Sequence, residues 1–374
     1  PMEKLCKDLI YLLSCAANEI QPDPQKTAQI DLEQLYKLCK IQSLRAAVYP
    51  VLEKAGIEHN EFAQAYHKSV RKNILLDIER KAITDEFEKQ GIWYLVMKGS
   101  LIKKLYPEAG MREMSDNDIL IDGTCREKAN KIMTDRGYTA KRYLSSHCDE
   151  YVKPPVMNFE LHSFLFEERL FPQLQQHYKD MSKIMIRNSD DSFGYHLSDE
   201  EFYIYMTAHE YKHFIKAGTG IRGLLDCYIF LRAKEGKLDW DRIKAAAKEM
   251  GMGDFEEKRR ELALRLLSSD KLPQLSTDEE AFMMEYLKYG TYGSASKRAE
   301  NDISRFQNSS GNASRAKFVL SRLFPSPAYV KKWYPFAKKH PILLPAAYVL
   351  RWYKALTSSR DKTRSEIKAL KKRK

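Results

Sequence analysis

The chain has 374 residues and a formal charge of +12, with 43% hydrophobic and 30% charged residues. This length suggests two or three domains, and the mixture of charge signs excludes a wholly disordered chain. The charge is unevenly spread, because residues 313–374 hold 17 Lys and Arg against two Asp and Glu, a net of +15. The first 312 residues therefore carry −3, so the overall charge does not indicate nucleic-acid binding along the whole chain.

The cysteines and the apolar segments bear on the cellular compartment. None of the six cysteines forms a C-x-x-C pair. Scattered cysteines are typical of reduced thiols in a cytosol and not of a disulfide framework or a zinc ribbon. The N-terminus shows no signal-peptide pattern, and the apolar stretch 341–350 is shorter than the roughly 20 residues that a bilayer span needs. We expect a cytoplasmic protein without a transmembrane segment.

Residues 2–90 predict helices. Apolar residues from Phe62 to Phe87 recur every three to four positions, which is the period of an amphipathic helix. Gly91 stands where a left-handed C-terminal cap of that helix is expected.

From residue 92 onward the apolar pattern changes to that of strands. Residues 92–97 form a continuous apolar run, 118–121 (Asp-Ile-Leu-Ile) predict a second strand, and 157–162 alternate strictly between apolar and polar residues. Residues 138–144 also look extended. A helix is predicted over 124–136, with Thr124 as its N-terminal cap.

The chain becomes helical again after this mixed segment. Capping boxes at 198–201 and 276–279 each predict the start of a helix, and further helices are predicted over about 221–234 and from 239 to about 251. The polar residues 307–314 predict a linker. We therefore predict an α+β protein with four parts: an N-terminal helical region (1–90), a core with a mixed sheet (91–195), a helical domain (196–306), and a linker with a basic, aromatic-rich C-terminal segment (307–374).

The strongest chemical signal lies in the mixed segment. Gly99 and Ser100 follow the first strand and begin a helix, which directs backbone N–H groups and a hydroxyl toward an anion. Asp116 and Asp118 are two residues apart at the start of a strand, so both carboxylates point to one face, and Glu160 lies on the polar side of a later strand. Converging carboxylates predict a site for two cations, because bound metal offsets their repulsion, and Mg²⁺ prefers such oxygen ligands.

These residues resemble the signature of the polymerase-β-like nucleotidyltransferase superfamily. The segments Met97-Lys-Gly-Ser100 and Ser115-Asp-Asn-Asp-Ile-Leu-Ile121 match its glycine turn and its two acids on a strand, and Glu160 matches its third acid. A longer series is similar to a poorly characterised bacterial branch of the superfamily: Leu105-Tyr-Pro107, Arg112, Glu160-Leu-His162, His209-x-x-x-His213, Arg222 and Asp226.

The resemblance implies a nucleotidyltransferase-like core that transfers a nucleotidyl group from a nucleoside triphosphate such as ATP, with two Mg²⁺ ions. The acceptor is a hydroxyl of a small molecule, an RNA or a protein. The resemblance implies that Asp116 and Asp118 bind the cations, and that Glu160 binds one cation or deprotonates the acceptor. It also implies that Gly99, Ser100 and nearby amides hold the β- and γ-phosphates.

Two further cations are predicted nucleotide contacts. Lys98 either binds phosphate or only flanks the strand, and Arg112 either clamps the triphosphate or is an ordinary surface arginine. Two features depart from the superfamily pattern: the fifteen-residue spacer between Ser100 and Asp116, and the polar Asn117 between the two acids. They motivate an alternative, a non-catalytic protein that binds a nucleoside triphosphate or RNA on the same fold.

A helical face after the core carries more polar candidates. His209, Lys212 and His213 share the i, i+3, i+4 spacing of one face, and with His162 they are candidate contacts to the nucleotide or acceptor. The alternative is a packed or solvated helix face. Residues 209–213 also match the H-E-x-x-H motif of zinc peptidases, but no third ligand follows nearby, so we exclude a protease.

Residues 313–374 interleave aromatic residues with cations, among them Tyr329, Lys331, Trp333 and Tyr353. This pattern is compatible with RNA, whose bases stack on aromatic rings, and with an anionic membrane surface. It is also compatible with short helices that pack their aromatic residues on the acidic body. The sequence leaves all three interpretations open.

Overall fold

A computed structural model describes residues 2–291, 293, 294, 297, 298, 301, 320 and 323–357. Its contacts divide the chain into two compact units. The first comprises residues 1–212 and 220–291, and the second comprises residues 213–219 with the described part of 292–374. The predicted linker 307–314 and the basic end 358–374 lie outside the described residues. The division into four parts stays a prediction.

The predicted helical region before the sheet is confirmed. Its helices are α1 (Met2–Asn18), α2 (Pro24–Ala28), α3 (Leu32–Gln42), α4 (Arg45–Lys54) and α5 (Asn60–Gln90). Helix α5 ends at Gly91, whose φ of 65° is the left-handed conformation expected of the cap.

A seven-stranded mixed sheet forms the centre of the first unit. Its strands lie in the order β3-β4-β5-β2-β1-β7-β6, and the pairs β2–β5 and β1–β7 are parallel. The α+β class predicted from the sequence is thereby confirmed. The strands are β1 (Tyr94–Val96), β2 (Asn117–Ile121), β3 (Thr139–Arg142), β4 (Cys148–Lys153), β5 (Met157–His162), β6 (Met185–Arg187) and β7 (Gly194–Leu197).

The strands β4, β6 and β7 were not predicted from the sequence. In β4 the usual alternation of apolar and polar residues is interrupted, because Asp149 faces the apolar core. Asp149 is almost fully buried. The guanidinium of Arg126 pairs with this carboxylate, with Nε 2.8 Å from Oδ2. A charged residue on the core face therefore depends on a partner from a different segment of the chain.

Among the remaining helices of the first unit, those that begin at residues 199, 222, 240 and 277 follow the predicted starts, whereas the helices over 172–177 and 253–267 were not predicted. The capping box at Ser276 is confirmed, and the Ser198 hydroxyl accepts a hydrogen bond from the Glu201 N–H. The prediction of a helix capped by Thr124 is wrong, because Asp122 caps a short 3₁₀ turn (Gly123–Cys125) that precedes the helix. The helices are α6 (Gly99–Ile102), α7 (Arg126–Asp135), α8 (Pro172–His177), α9 (Asp199–Lys216), α10 (Arg222–Ala233), α11 (Trp240–Glu249), α12 (Gly253–Leu267) and α13 (Thr277–Lys288); the end of α9 belongs to the second unit.

One face of the sheet is covered by α5 and α7. Apolar side chains of β2, β4 and β5 pack there with side chains of both helices, and the opposite face of β2 and β5 carries Asp118, Glu160 and His162 together with the buried Leu120. The members of this core are Ile83, Phe87, Ile92, Ile119, Ile121, Ala129, Met133, Tyr138, Tyr151, Phe159 and Leu161.

The second unit contains short helices. They are α14 (Pro327–Trp333), α15 (Pro335–Lys339) and α16 (Leu344–Thr357), and they share a small core of Val330, Ala337 and Ala347. The packing of their aromatic residues on the acidic body stays a prediction. None of the described helices has the length and apolarity that a membrane crossing requires.

The side chain of Asn117 ties the first residue of β2 to α5 and to the glycine turn. Its Nδ2 donates to the Leu76 carbonyl at 3.0 Å, and its Oδ1 accepts from the Ser100 hydroxyl at 2.8 Å and from Arg80 Nη1 at 3.1 Å. The residue is fully buried. Asn117 thus has a structural reason to replace the apolar residue that the superfamily pattern favours.

We predict that Asn117→Ala lowers the free energy of unfolding by about 1–3 kcal/mol or more, because it leaves several buried polar groups without a partner. Urea denaturation measures this change. The control Asn60→Ala removes an exposed asparagine and should change the free energy by less than about 0.5 kcal/mol. Equal effects of the two substitutions would contradict the structural role of Asn117.

Candidate functional site

The predicted acidic residues meet on the face of the sheet opposite α5. Asp118 of β2 is the register partner of Glu160 on the parallel strand β5. Asp116 directly precedes β2, and His162 lies two residues beyond Glu160. Because side chains alternate along a strand, all four of these residues belong to one face.

Asp118 is held as an ionised carboxylate. Burial favours its neutral form, but the Lys98 ammonium, 3.3 Å from Oδ2, and the hydrogen bond from His162 Nε2, 2.9 Å from Oδ1, outweigh this effect. The pKa of Asp118 therefore lies well below its usual range. His162, predicted as a substrate contact, is here a partner of the central carboxylate.

The pKa of Asp116 is shifted in the opposite direction. Burial, together with the negative charges of Asp118 and Glu160, raises the pKa of Asp116 to about 6, and Lys98 offsets this only in part. Besides Lys98, the charges of Lys72 and Arg112 are within electrostatic reach of Asp116. Asp116, Asp118 and Glu160 together offer a set of carboxylate oxygens beside these cations. This set of oxygen donors fits a hard divalent cation such as Mg²⁺.

Helix α5 holds the loop that carries Asp116. Along this helix the Ser69 hydroxyl donates to the carbonyl of Gly110 at 2.7 Å, Lys72 to that of Ser115 at 3.0 Å, and Asn73 to that of Arg112. The loop therefore lies along one side of α5. Its length, which departs from the superfamily pattern, allows this contact.

The turn before α6 brings Lys98 to the acids. Lys98 has a φ of 40° and a ψ of −115°, a sparsely populated positive-φ conformation that costs a non-glycine residue of the order of 1–3 kcal/mol. A Cβ atom on Gly99 would lie 2.5 Å from Arg112 Nη1 and 2.8 Å from Met114 Cε, so a larger residue there would have to displace these two side chains. The hydroxyl of Ser100 is buried and donates to Asn117. Phosphate binding by Gly99 and Ser100 stays a prediction.

Residues 28–268 match the model of a protein family described as Uncharacterised nucleotidyltransferase. The chain belongs to this family. The matched residues include all seven strands and the three carboxylates. No curated protein matches the chain. It is similar to a solved structure, an antigenic nucleotidyltransferase-like protein from Paracoccidioides brasiliensis, at 14% identity and a TM-score of 0.34, over 53% of this chain and 93% of that one.

Arg112 in this nucleotidyltransferase-family chain is fully engaged within the protein. Its Nε and Nη2 each lie 2.8 Å from a carboxylate oxygen of Asp226 on α10, and the Tyr106 hydroxyl donates to the same carboxylate at 2.7 Å. The exposed fraction is 9% for the Arg112 side chain and 13% for that of Asp226. The predicted triphosphate contact of Arg112 stays a prediction, whereas the geometry shows that Arg112 links the acid-bearing loop to α10.

Helix α9 contributes Tyr205, which was not predicted. Burial, followed by the charges of Asp118 and Glu160, raises the pKa of Tyr205, so this residue lies within electrostatic reach of the acids. His209, one turn further, has its ring centroid 6.2 Å from that of Tyr205. The spacing of four residues before His209 was the available signal for Tyr205.

Lys212 and His213 are the other predicted candidates on α9. The Lys212 Nζ lies 5.4 Å from the ring centroid of Phe166, and His213 belongs to the second compact unit. Contacts of His209, Lys212 and His213 with nucleotide or acceptor stay predictions.

The glutamate of the H-E-x-x-H match is part of a buried network. Glu210 accepts hydrogen bonds from Arg259 Nε at 2.9 Å and from the Tyr286 hydroxyl at 2.7 Å. A carboxylate with these partners does not serve as the base of a peptidase, which supports the exclusion of that activity.

We predict that Asp226→Asn lowers the free energy of unfolding at pH 7 by about 3–5 kcal/mol, because it leaves the Arg112 guanidinium buried without its counter-charge. Although burial opposes it, Arg112 holds the pKa of Asp226 below its usual range. The stability from this pair is therefore present above the unfolded-state pKa of about 4 and is lost as the pH falls through the folded-state value.

Urea denaturation at pH 7, 4 and 2.5 measures this dependence, and the difference between wild type and Asp226→Asn should shrink toward the lowest pH. The control Asp135→Asn removes an exposed pair with Lys131 and should have a much smaller effect. A difference that stays constant with pH would contradict the role of the Asp226 charge.

Proposed function

We propose that this chain transfers a nucleotidyl group from a nucleoside triphosphate to a hydroxyl acceptor, with divalent cations held by Asp116, Asp118 and Glu160. The observation that carries the proposal is the pairing of Asp118 with Glu160 on neighbouring parallel strands, beside Asp116 and with Lys98 as a counter-charge. Membership of a nucleotidyltransferase family supports the reaction class.

The three carboxylates have different tasks in this proposal. Two Mg²⁺ ions, when bound, would stabilise the charge on the attacking and leaving oxygens. Asp118 is ionised already, whereas Asp116 holds a proton below about pH 6 and releases it for cation binding. Glu160 has the more exposed side chain, at 27% against 10% for Asp118, which suits a cation ligand or an acceptor of the substrate's hydroxyl proton.

Lys98 changes partner in this proposal. Its ammonium contacts Asp118 Oδ2, and a bound metal ion would displace it from there. Once displaced, the ammonium is next to the site and free to bind a β- or γ-phosphate oxygen. His162 keeps its hydrogen bond to Asp118 Oδ1 and so orients this carboxylate. Arg112 holds the loop that carries Asp116 through its pair with Asp226.

The basic tail is proposed to contact an anionic partner, an RNA acceptor or a membrane surface. Its described part exposes cations next to aromatic rings, which supports an electrostatic contact with ring stacking or interfacial insertion. The exposed residues include Tyr329, Lys338, Lys339, Tyr353 and Lys354.

Transfer from an α-³²P-labelled nucleoside triphosphate tests the reaction. With Mg²⁺ present, wild type is offered RNA, protein and a fraction of small metabolites as acceptors. Asp116→Asn, Asp118→Asn and Glu160→Gln should each lower the transfer rate at least about 100-fold, which corresponds to about 2.7 kcal/mol of lost transition-state stabilisation. Asp122→Asn, at the other end of β2, is the control and should keep the wild-type rate within a few-fold.

Calorimetry with Mg²⁺ and each nucleoside triphosphate separates the remaining outcomes. Binding without transfer to any acceptor would support the non-catalytic nucleotide-binding alternative. If wild type neither binds nor transfers a nucleotide, both the enzymatic proposal and the non-catalytic alternative are contradicted. Full transfer by the carboxylate variants would contradict the assignment of the site.

A further inference from the structure

The outward side of α16 in the second unit is apolar. Four exposed side chains share this side of the helix at the spacing i, i+3, i+4, i+7, namely those of Ala346, Val349, Leu350 and Tyr353. The exposed fraction is 58% for Val349 and 43% for Leu350. Ile342, four residues before Ala346 in the turn that leads into the helix, is 87% exposed. These five residues are called the apolar patch below.

The opposite side of α16 packs within the second unit. Ala347 is fully buried in the small core of this unit. The Trp352 Nε1 donates to the Leu323 carbonyl at 2.9 Å, and the Tyr348 hydroxyl donates to the Pro325 carbonyl. Within the described part of the chain, α16 is therefore apolar on both sides but buried on one. A helix that is apolar all round is normally buried all round, so the apolar patch indicates a contact with a further apolar partner.

The charge around the apolar patch has one sign. Residues 323–357 contain no Asp or Glu and six basic residues, which are Lys331, Lys332, Lys338, Lys339, Arg351 and Lys354. Lys338 and Lys339 come before the patch and Lys354 after it, and all three are exposed. A surface with apolar side chains between cations is complementary to a partner that is apolar inside and anionic at its surface. A bilayer with acidic phospholipids has this combination.

The structure favours a bilayer over the other anionic or apolar partners. Single-stranded RNA binds through bases that stack on aromatic rings, but four of the five residues of the patch are aliphatic. The rings of Tyr348 and Trp352 pack on that of Phe324 instead, with centroids 6.1 and 5.2 Å apart. A second copy of this chain is disfavoured, because two basic surfaces repel each other when they meet.

The length of α16 determines how it meets a bilayer. Its 14 residues extend about 21 Å at 1.5 Å per residue, which is less than the roughly 30 Å of a hydrocarbon core. We propose that α16 lies in the interface plane of a bilayer that contains anionic phospholipid, with the apolar patch among the acyl chains and the flanking lysines at the headgroups. This proposal rests on the anionic contact proposed above for the basic tail and selects its partner, whereas it does not depend on nucleotidyl transfer.

Cosedimentation of the full-length protein with vesicles tests the proposal, in the absence of nucleotide. The vesicles contain phosphatidylcholine alone or phosphatidylcholine with phosphatidylglycerol. We expect wild type to bind the anionic vesicles at least about tenfold more tightly than the neutral ones, and salt to weaken this binding. The patch variant Ile342→Gln/Val349→Gln/Leu350→Gln keeps the charge of the segment. It should lower the affinity for anionic vesicles at least about tenfold, because binding scales with the apolar area inserted.

A matched control removes three exposed apolar residues from a helix of the first unit. On α5, Ile74, Leu75 and Ile78 are 54%, 43% and 59% exposed. They also lie close in sequence to the exposed Arg71 and Lys81, so this control resembles the patch in size and charge. Ile74→Gln/Leu75→Gln/Ile78→Gln should leave vesicle binding unchanged. Equal losses in the patch variant and in this control would overturn the proposal.

A charge variant completes the test. Lys338→Gln/Lys339→Gln should weaken binding to anionic vesicles about fivefold per charge removed and leave binding to neutral vesicles unchanged. If the patch variant does not fold by circular dichroism, unchanged binding of the charge variant to anionic vesicles overturns the proposal instead.

The other partners give distinct results in the same set of proteins. Absence of wild-type binding to anionic vesicles overturns the proposal. It would be replaced by an RNA contact if the patch variant loses binding of single-stranded RNA, and by self-association if the patch variant converts a dimer into a monomer in sedimentation equilibrium. Because vesicle binding is measured without nucleotide, a failure of nucleotidyl transfer would leave these results unaffected.

Discussion

The hydrogen bonds of the Asn117 side chain fix which face of β2 carries the acids. This amide bonds to the Leu76 carbonyl on α5, so it lies on the face that α5 covers. Because strand side chains alternate, Asp116 and Asp118 must then lie on the opposite face, next to Glu160. The same helix holds the loop before β2 through successive turns, so the position of the acids depends on α5 as much as on the sheet.

The chemistry of the site follows from how its charges are divided. Asp118 has two partners, Lys98 and His162, and stays ionised, whereas Asp116 lacks an equivalent pair and holds its proton to a higher pH. Two acids that are two residues apart thus differ because of their partners and not because of their sequence context. Glu160 lies near both acids and the Cys148 thiol, whose Sγ is 3.6 Å from Glu160 Oε2.

The sequence was sufficient to predict the features that depend on periodicity or on short spacing between residues. It predicted α5, the strand over 157–162 and the proximity of the three acids, because apolar patterns and close acid pairs are local signals. It did not reveal β4, where the buried Asp149 depends on Arg126, or the partner of Arg112, which lies 114 residues further along the chain. Partners brought together by tertiary folding leave no local pattern to read.

Direct measurement of cation binding at the carboxylates tests the central assignment most closely. Mn²⁺, a paramagnetic substitute for Mg²⁺, can be titrated against the protein by electron paramagnetic resonance in the presence of a non-hydrolysable nucleoside triphosphate analogue. We expect two bound Mn²⁺ ions in wild type and at least about tenfold weaker binding in Asp118→Asn, with Asp122→Asn unchanged. Equal Mn²⁺ binding by wild type and Asp118→Asn would contradict the assignment of these acids as metal ligands.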